Sequence, residues 1–346
     1  MDWISRIIPA IRPAWTGTLP AFRHGLLGVE AVSARGQKCR LTVGQQSFPL
    51  RETPPVPAYS TSHGQCWNID ALEGLKKLAD DSVDLIVTSP PFALRRQKAY
   101  GNVDPGSYSD WLWPYIEQVH RVLHPTGSFV LELGGAWVRG SATRSLYQYE
   151  LILRLCKIFH LAQDFYWYNP SKLPTPAQWV TITRTRVKDA VNLIWWLSKS
   201  KEPRADNRRV LKPYSPSMKR LLRDGYDPAM RPSQHELSKV FQKDNGGAIP
   251  SNVLVVPNTR SSDPYFRACR AEGLPIHPAR FPLPVPDFFV RLLSQPGDLV
   301  VDPFSGSNTV GFVAESLGRR WLGFEIDPAY ASGSRLRFQS RPAEAA

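Results

Sequence analysis

Apolar positions along the chain form two stretches of regular α/β rhythm with a long irregular stretch between them. Leu72, Leu75 and Leu78 recur at helical spacing across 71–79, and Asp70 stands where a cap would. Val83 to Thr88 is an almost continuous run rich in β-branched residues, the pattern of a strand buried on both faces. It stops at Ser89-Pro90-Pro91-Phe92. The spacing then predicts a helix over 111–123, a strand over 128–133 closed by Gly134-Gly135, a helix over 149–159 and a buried strand over 190–198. After about Phe281 the rhythm resumes, with helices over 286–293 and 310–317 and strands over 299–301 and 321–324. Strand, crossover helix, strand is the unit of an α/β fold, so that class is expected.

Charge separates the segments further. The 346 residues carry 43 Lys and Arg against 30 Asp and Glu, a formal +13. Twenty of those basic residues and ten of the acidic ones lie in 160–280, so this third of the chain holds +10. A basic, proline-dotted insertion of this kind suits a polyanion, and Arg184, Arg186, Lys188, Arg208 and Arg209 are its candidate phosphate contacts. Residues 1–62 show no sustained period and read as an N-terminal extension. The expected divisions are therefore 1–62, a first half over 63–160, the insertion over 161–275 with one core strand near 190–198, and a last half over 276–346.

No run is apolar enough for a membrane helix and the start lacks a secretory pattern, so a soluble, cytoplasmic protein is expected. Four dispersed cysteines and no C-x-x-C pair argue against a disulfide scaffold or a metal knuckle, and no metal site is expected. Cys156 is expected in the core.

Two loops carry chemistry. After 299–301 comes Asp302-Pro303-Phe304-Ser305-Gly306-Ser307-Asn308-Thr309, a small-residue turn into a helix, and Glu325 follows 23 positions after Asp302. That is near the distance at which nucleotide-binding folds place a carboxylate for ribose hydroxyls. Gly306 is the turn's one glycine, so a dinucleotide's pyrophosphate fits poorly. A nucleoside without phosphates, such as S-adenosylmethionine, fits better. The other loop is Ser89-Pro90-Pro91-Phe92. Two prolines remove two N–H donors and leave carbonyls facing outward, Ser89 adds an acceptor, and Phe92 offers a face for a base. Such a loop suits an exocyclic amino group. Whether the base is cytosine or adenine is left open by the chemistry, since both carry an amine beside a ring acceptor.

The Ser89–Phe92 motif, Val301 to Thr309, and His277-Pro278-Ala279-Arg280-Phe281-Pro282 together resemble the amino-methylating DNA methyltransferases of the beta group, in which the target motif precedes the cofactor motif. The likeness runs from about residue 65 to the end. It implies a class I S-adenosylmethionine-dependent methyltransferase fold: a doubly wound mixed sheet with circularly permuted motifs and a DNA-recognition insertion. Serine at the head of the tetrapeptide is the habit of cytosine-N4 enzymes. The resemblance implies transfer to N4 of a flipped cytosine in double-stranded DNA, with Ser89, Pro90, Pro91 and Phe92 catalytic. The cofactor would meet Asp70, Pro278, Phe281, Asp302, Phe304, Gly306, Asn308 and Glu325. It further implies functional pairing with a restriction endonuclease, and the likeness of the insertion to one member's suggests the palindrome CAGCTG as the site; the oligomeric state is left open, with a monomer favoured. An adenine-N6 enzyme or a catalytically inactive DNA-binding relative are the alternatives. Glu132 stands where a shorter Asp is expected, which puts a hydrogen bond from there to Ser89 in doubt.

Overall fold

A computed structural model describes residues 29–32, 38–41, 48–93, 103–225, 243–258 and 263–339. The chain divides into two compact units, Met1–Ser47 and Phe48–Ala346. In the first, β1 (Val29–Val32) and β2 (Lys38–Leu41) pair antiparallel.

The second unit is built on a nine-stranded sheet. Its strands are β3 (Tyr59–Ser60), β4 (Gly64–Asn68), β5 (Val83–Thr88), β6 (Leu123–Leu133), β7 (His160–Tyr168), β8 (Val191–Ser198), β9 (Val253–Val255), β10 (Leu299–Asp302) and β11 (Arg320–Glu325). Their order across the sheet is β3-β4-β11-β10-β5-β6-β8-β7-β9. The central strands β4, β11, β10, β5 and β6 are parallel, while β8 runs antiparallel between β6 and β7. Strand β10 pairs with β5 although some two hundred residues separate them, which is what the permuted motif order requires.

The central strands read as unbroken apolar runs because both faces are covered. Ile86, Leu131 and Val301 enter a core beneath α1 (Ala71–Lys76), α2 (Tyr108–Val122) and α3 (Tyr147–Leu155). Past α4 (Pro216–Asp224) and α5 (Pro264–Ala271) in the chain come α6 (Pro284–Leu293) and α7 (Thr309–Ser316), and the intervening Leu85, Val87, Val130 and Val300 enter a second core with these last two. Asp70 caps α1 as expected, its Oδ1 accepting from the Leu72 amide at 2.8 Å. Among the described residues no helix is long and apolar enough to cross a membrane, and no cluster of three or more His, Cys, Asp or Glu could hold a metal.

Three expectations need correction. Residues 48–62 belong to the second unit, since β3 pairs with β4, so its boundary precedes residue 62. The 161–275 stretch holds more than one core strand: β7 lies between β8 and β9. Its first residues, His160 to Gln163, are exposed, which hid the strand from a hydrophobic pattern. Cys156 is exposed at the end of α3 rather than in the core.

Candidate active site

The carboxyl ends of β5, β6, β10 and β11 point the same way, as does that of β7, two antiparallel steps from β6. Ligands of open α/β sheets bind outside these ends. Here they surround a cavity of about 570 Å³, within the range usual for small-molecule sites.

On one side the cavity is walled by Ser89 to Phe92. Ser89 Oγ donates to Glu132 Oε2 at 2.5 Å, so the hydrogen bond that the longer side chain put in doubt is made. Glu132, at the end of β6, is only 2% exposed. Asn192 Nδ2, at the start of β8, donates to its other oxygen at 2.6 Å. Burial pushes the Glu132 carboxyl up to about 7, while the bonds from Ser89 and Asn192 and the charge of Lys172 pull it down. Tyr108 Oη donates to the Pro91 carbonyl at 2.9 Å and holds the turn. Phe92 lies against Gly134, where an added Cβ would meet the ring at 2.7 Å; glycine is what lets the ring sit there.

The opposite side is the β10 and β11 ends. Asp302 Oδ1 accepts from Thr88 Oγ1 at 2.6 Å and from the Phe304 amide at 3.1 Å, and burial raises its carboxyl to about 7. Glu325 is held by backbone amides, Gly306 to Oε2 at 2.9 Å and Asp327 to Oε1 at 2.9 Å, and burial raises its pKa. Gly306 has φ +50° and an added Cβ would sit 2.9 Å from the His277 ring, so only glycine serves in this turn. Asp70, Pro278, Phe281 and Phe304 also line the cavity. Asn308 does not. It is fully buried, adopts φ +51°, accepts from the Gly311 amide to cap α7 and donates to Tyr59 Oη at 2.8 Å. Its role is to shape the turn.

The five basic candidates separate by position. The connection from β7 to β8 lies at the cavity end, contributes Asn169 and Lys172 to the wall, and carries Arg184, Arg186 and Lys188. Arg184 is exposed, Arg186 pairs with Asp189 at 3.0 Å, and Lys188 Nζ donates to the Pro170 and Lys172 carbonyls. Arg208 and Arg209 lie at the other end of the sheet. Their segment is tied by Arg204 to Asp84, near the start of β5, and to Asp298, just before β10. Arg209 donates to the Ser294 carbonyl at 2.5 Å, where α6 ends, and Arg208 pairs with Asp206. The structure thus sets these two candidate phosphate contacts apart from the cavity, in a segment fastened at the amino ends of the strands.

Sequence reasoning missed Asn192, Asn169, Lys172 and Ile326 as cavity residues. Asn192 had a signal, a lone amide opening an otherwise apolar strand. Ile326, 67% exposed beside Glu325, had none.

Comparisons with known proteins agree with this geometry. A family model described as DNA methylase matches residues 83–335. The type II methyltransferase M.PvuII of Proteus hauseri is 48% identical over 287 residues, covering 82% of this chain and 85% of that enzyme. M.BamHI of Bacillus amyloliquefaciens is 27% identical, covering 93% of this chain and 68% of that enzyme. A solved structure of the PvuII DNA methyltransferase, described as cytosine-N4-specific, superposes with a TM-score of 0.67 at 42% identity, over 82% of this chain and 88% of that one.

Proposed function

Because the chain belongs to the DNA methylase family, we propose that it is a site-specific DNA methyltransferase acting on N4 of a cytosine flipped out of a short duplex site, with S-adenosyl-L-methionine as methyl donor. The donor supplies an electrophilic methyl carbon on a sulfonium. The residues present fit it. Glu325 offers carboxylate lone pairs for ribose hydroxyls, Ile326 gives an apolar wall beside it, Gly306 leaves the turn bare, and Asp70 stands near for a base amine. The turn lacks the glycines of a pyrophosphate cradle, which favours a nucleoside.

The amino group of a base is a poor nucleophile because its lone pair is delocalised into the ring. Ser89 Oγ, whose proton is given to Glu132, and the Pro90 carbonyl can each accept one amine proton. Holding both draws the nitrogen toward a tetrahedral geometry and frees the lone pair. Its attack forms the N–CH₃ bond as the C–S bond breaks. One amine proton leaves to Ser89 Oγ while the Ser89 proton passes to Glu132. A carboxyl near 7 suits that task at neutral pH. Flipping the base costs a few kcal/mol, and stacking on Phe92 offsets about 1–3 kcal/mol of it.

The observation that carries this reading is the Ser89–Glu132 bond in one cavity with the Glu325–Gly306 turn. As a type II modification enzyme the protein would pair in function with a restriction endonuclease of the same specificity and act as a monomer. The test is transfer of labelled methyl to a duplex bearing CAGCTG, beside a scrambled duplex and the Ser89→Ala variant. Incorporation that needs both the site and Ser89 supports the reading. Incorporation by Ser89→Ala at the wild-type rate would overturn it.

A further inference from the structure

We propose that Asn192 is a positioning residue for methyl transfer, holding Glu132 so that one carboxylate oxygen is committed to the Ser89 hydroxyl; this rests on the function proposed above. Glu132 stands opposite Ile194 in the β6–β8 ladder, which makes Asn192 its diagonal neighbour on the same face. The two side chains meet there at 2.6 Å. An ionised carboxylate only accepts, so the amide must present its Nδ2 to Glu132 and turn its Oδ1 elsewhere. The bond therefore has one direction and one orientation.

A glutamate needs such a partner more than an aspartate would, because it has an additional side-chain torsion to fix. With Ser89 on Oε2 and Asn192 on Oε1, the carboxylate plane is held at both ends. Remove Asn192 and Oε1 is left buried without a donor. Two consequences follow. The carboxylate can rotate away from Ser89, and its charged form loses a stabilising bond, so it takes up a proton more readily. Either one takes from Ser89 the acceptor that its proton needs. The charged and titratable groups facing Glu132 are Lys172, which lines the same cavity, and the phenols of Tyr108 and Tyr147 from α2 and α3. The Tyr pKa values are raised well above neutrality, so neither phenol titrates in the range concerned.

The experiment is the pH profile of kcat for Asn192→Ala and the isosteric Asn192→Asp, beside wild type and Ser89→Ala, with S-adenosylmethionine affinity by calorimetry as the check on folding. For Asn192→Ala we expect cofactor affinity within about twofold of wild type. Its kcat near neutral pH should be lower by about tenfold to a hundredfold, the worth of one charge-assisted bond. The acid limb should move to higher pH, so that part of the deficit is recovered in alkaline buffer. Asn192→Asp should move the limb further, since two adjacent carboxylates share a proton. A deficit equal at every pH in both variants would overturn the proposal and leave Asn192 a structural residue. An unshifted profile with Ser89→Ala inactive overturns the Asn192 role alone. Wild-type turnover in Ser89→Ala overturns the reading of the site beneath it.

Discussion

Glu132 and Glu325 close the cavity from opposite sides with the same functional group and opposite kinds of partner. Glu132 is held by side chains, the Ser89 hydroxyl and the Asn192 amide. Glu325 is held by the backbone amides of Gly306 and Asp327. Burial raises the pKa of both. The difference separates their work. A carboxylate fixed by backbone is a rigid acceptor suited to recognising a ligand, whereas one coupled to a hydroxyl can take that hydroxyl's proton. On the function proposed above, one side of the cavity would bind and the other react.

The largest expected effect lies on the reacting side. Ser89→Ala should lower kcat by about a hundredfold or more while cofactor affinity, read by calorimetry, stays near wild type. If affinity collapsed along with turnover, the two sides would not be separable. Glu325→Ala should do the reverse, weakening S-adenosylmethionine by about 1.5–3 kcal/mol with DNA binding preserved. It also strips the buried Gly306 amide and the half-buried Asp327 amide of their acceptor, so its melting temperature should fall as well. Glu325→Gln, which keeps an acceptor for one of them, should fall less.

The raised carboxyls link to stability with a definite sign. A carboxyl whose folded pKa lies near 7 and whose unfolded pKa lies near 4 keeps its proton longer in the folded state. It therefore favours folding at low pH and loses that contribution as pH rises through about 7. Glu132→Gln and Asp302→Asn should each shrink any loss of melting temperature between pH 5 and pH 8. A larger loss in either variant would mean these carboxyls titrate lower than their burial implies.

The smallest expected effect concerns charge. Arg208 and Arg209 together should leave the salt dependence of DNA binding unchanged when replaced by alanine, because they lie under the amino ends of the strands. Their loss should appear in stability, since Arg209 holds the Ser294 carbonyl. Arg184→Ala, at the cavity end, should flatten the log–log slope by about one. The opposite pattern would place the DNA on the wrong end of the sheet.

These residues also mark what the sequence could and could not disclose. Val83–Thr88 was legible as a strand because burial on both faces writes an unbroken apolar run, and Ser89 to Phe92 because two prolines stand at its end. Glu325 was legible from its distance to Asp302. Strand β7 was not, since its exposed first half carries His160 and Gln163, and its partners are set by distant segments. Arg184 and Arg208 looked equivalent because net charge counts residues without placing them at one end of a sheet or the other. Asn308 looked like a ligand contact because the loop around it lines the cavity. Only its left-handed backbone turns it inward to cap α7.

On the proposed function, the Ser89 side of the cavity receives a cytosine amine. Mass spectrometry of nucleosides from a methylated duplex reads the product directly. We expect N4-methylcytosine from the wild type, formed more slowly by about a hundredfold or more with Ser89→Ala. N6-methyladenine as the product, or N4-methylcytosine made equally well without Ser89, would contradict it.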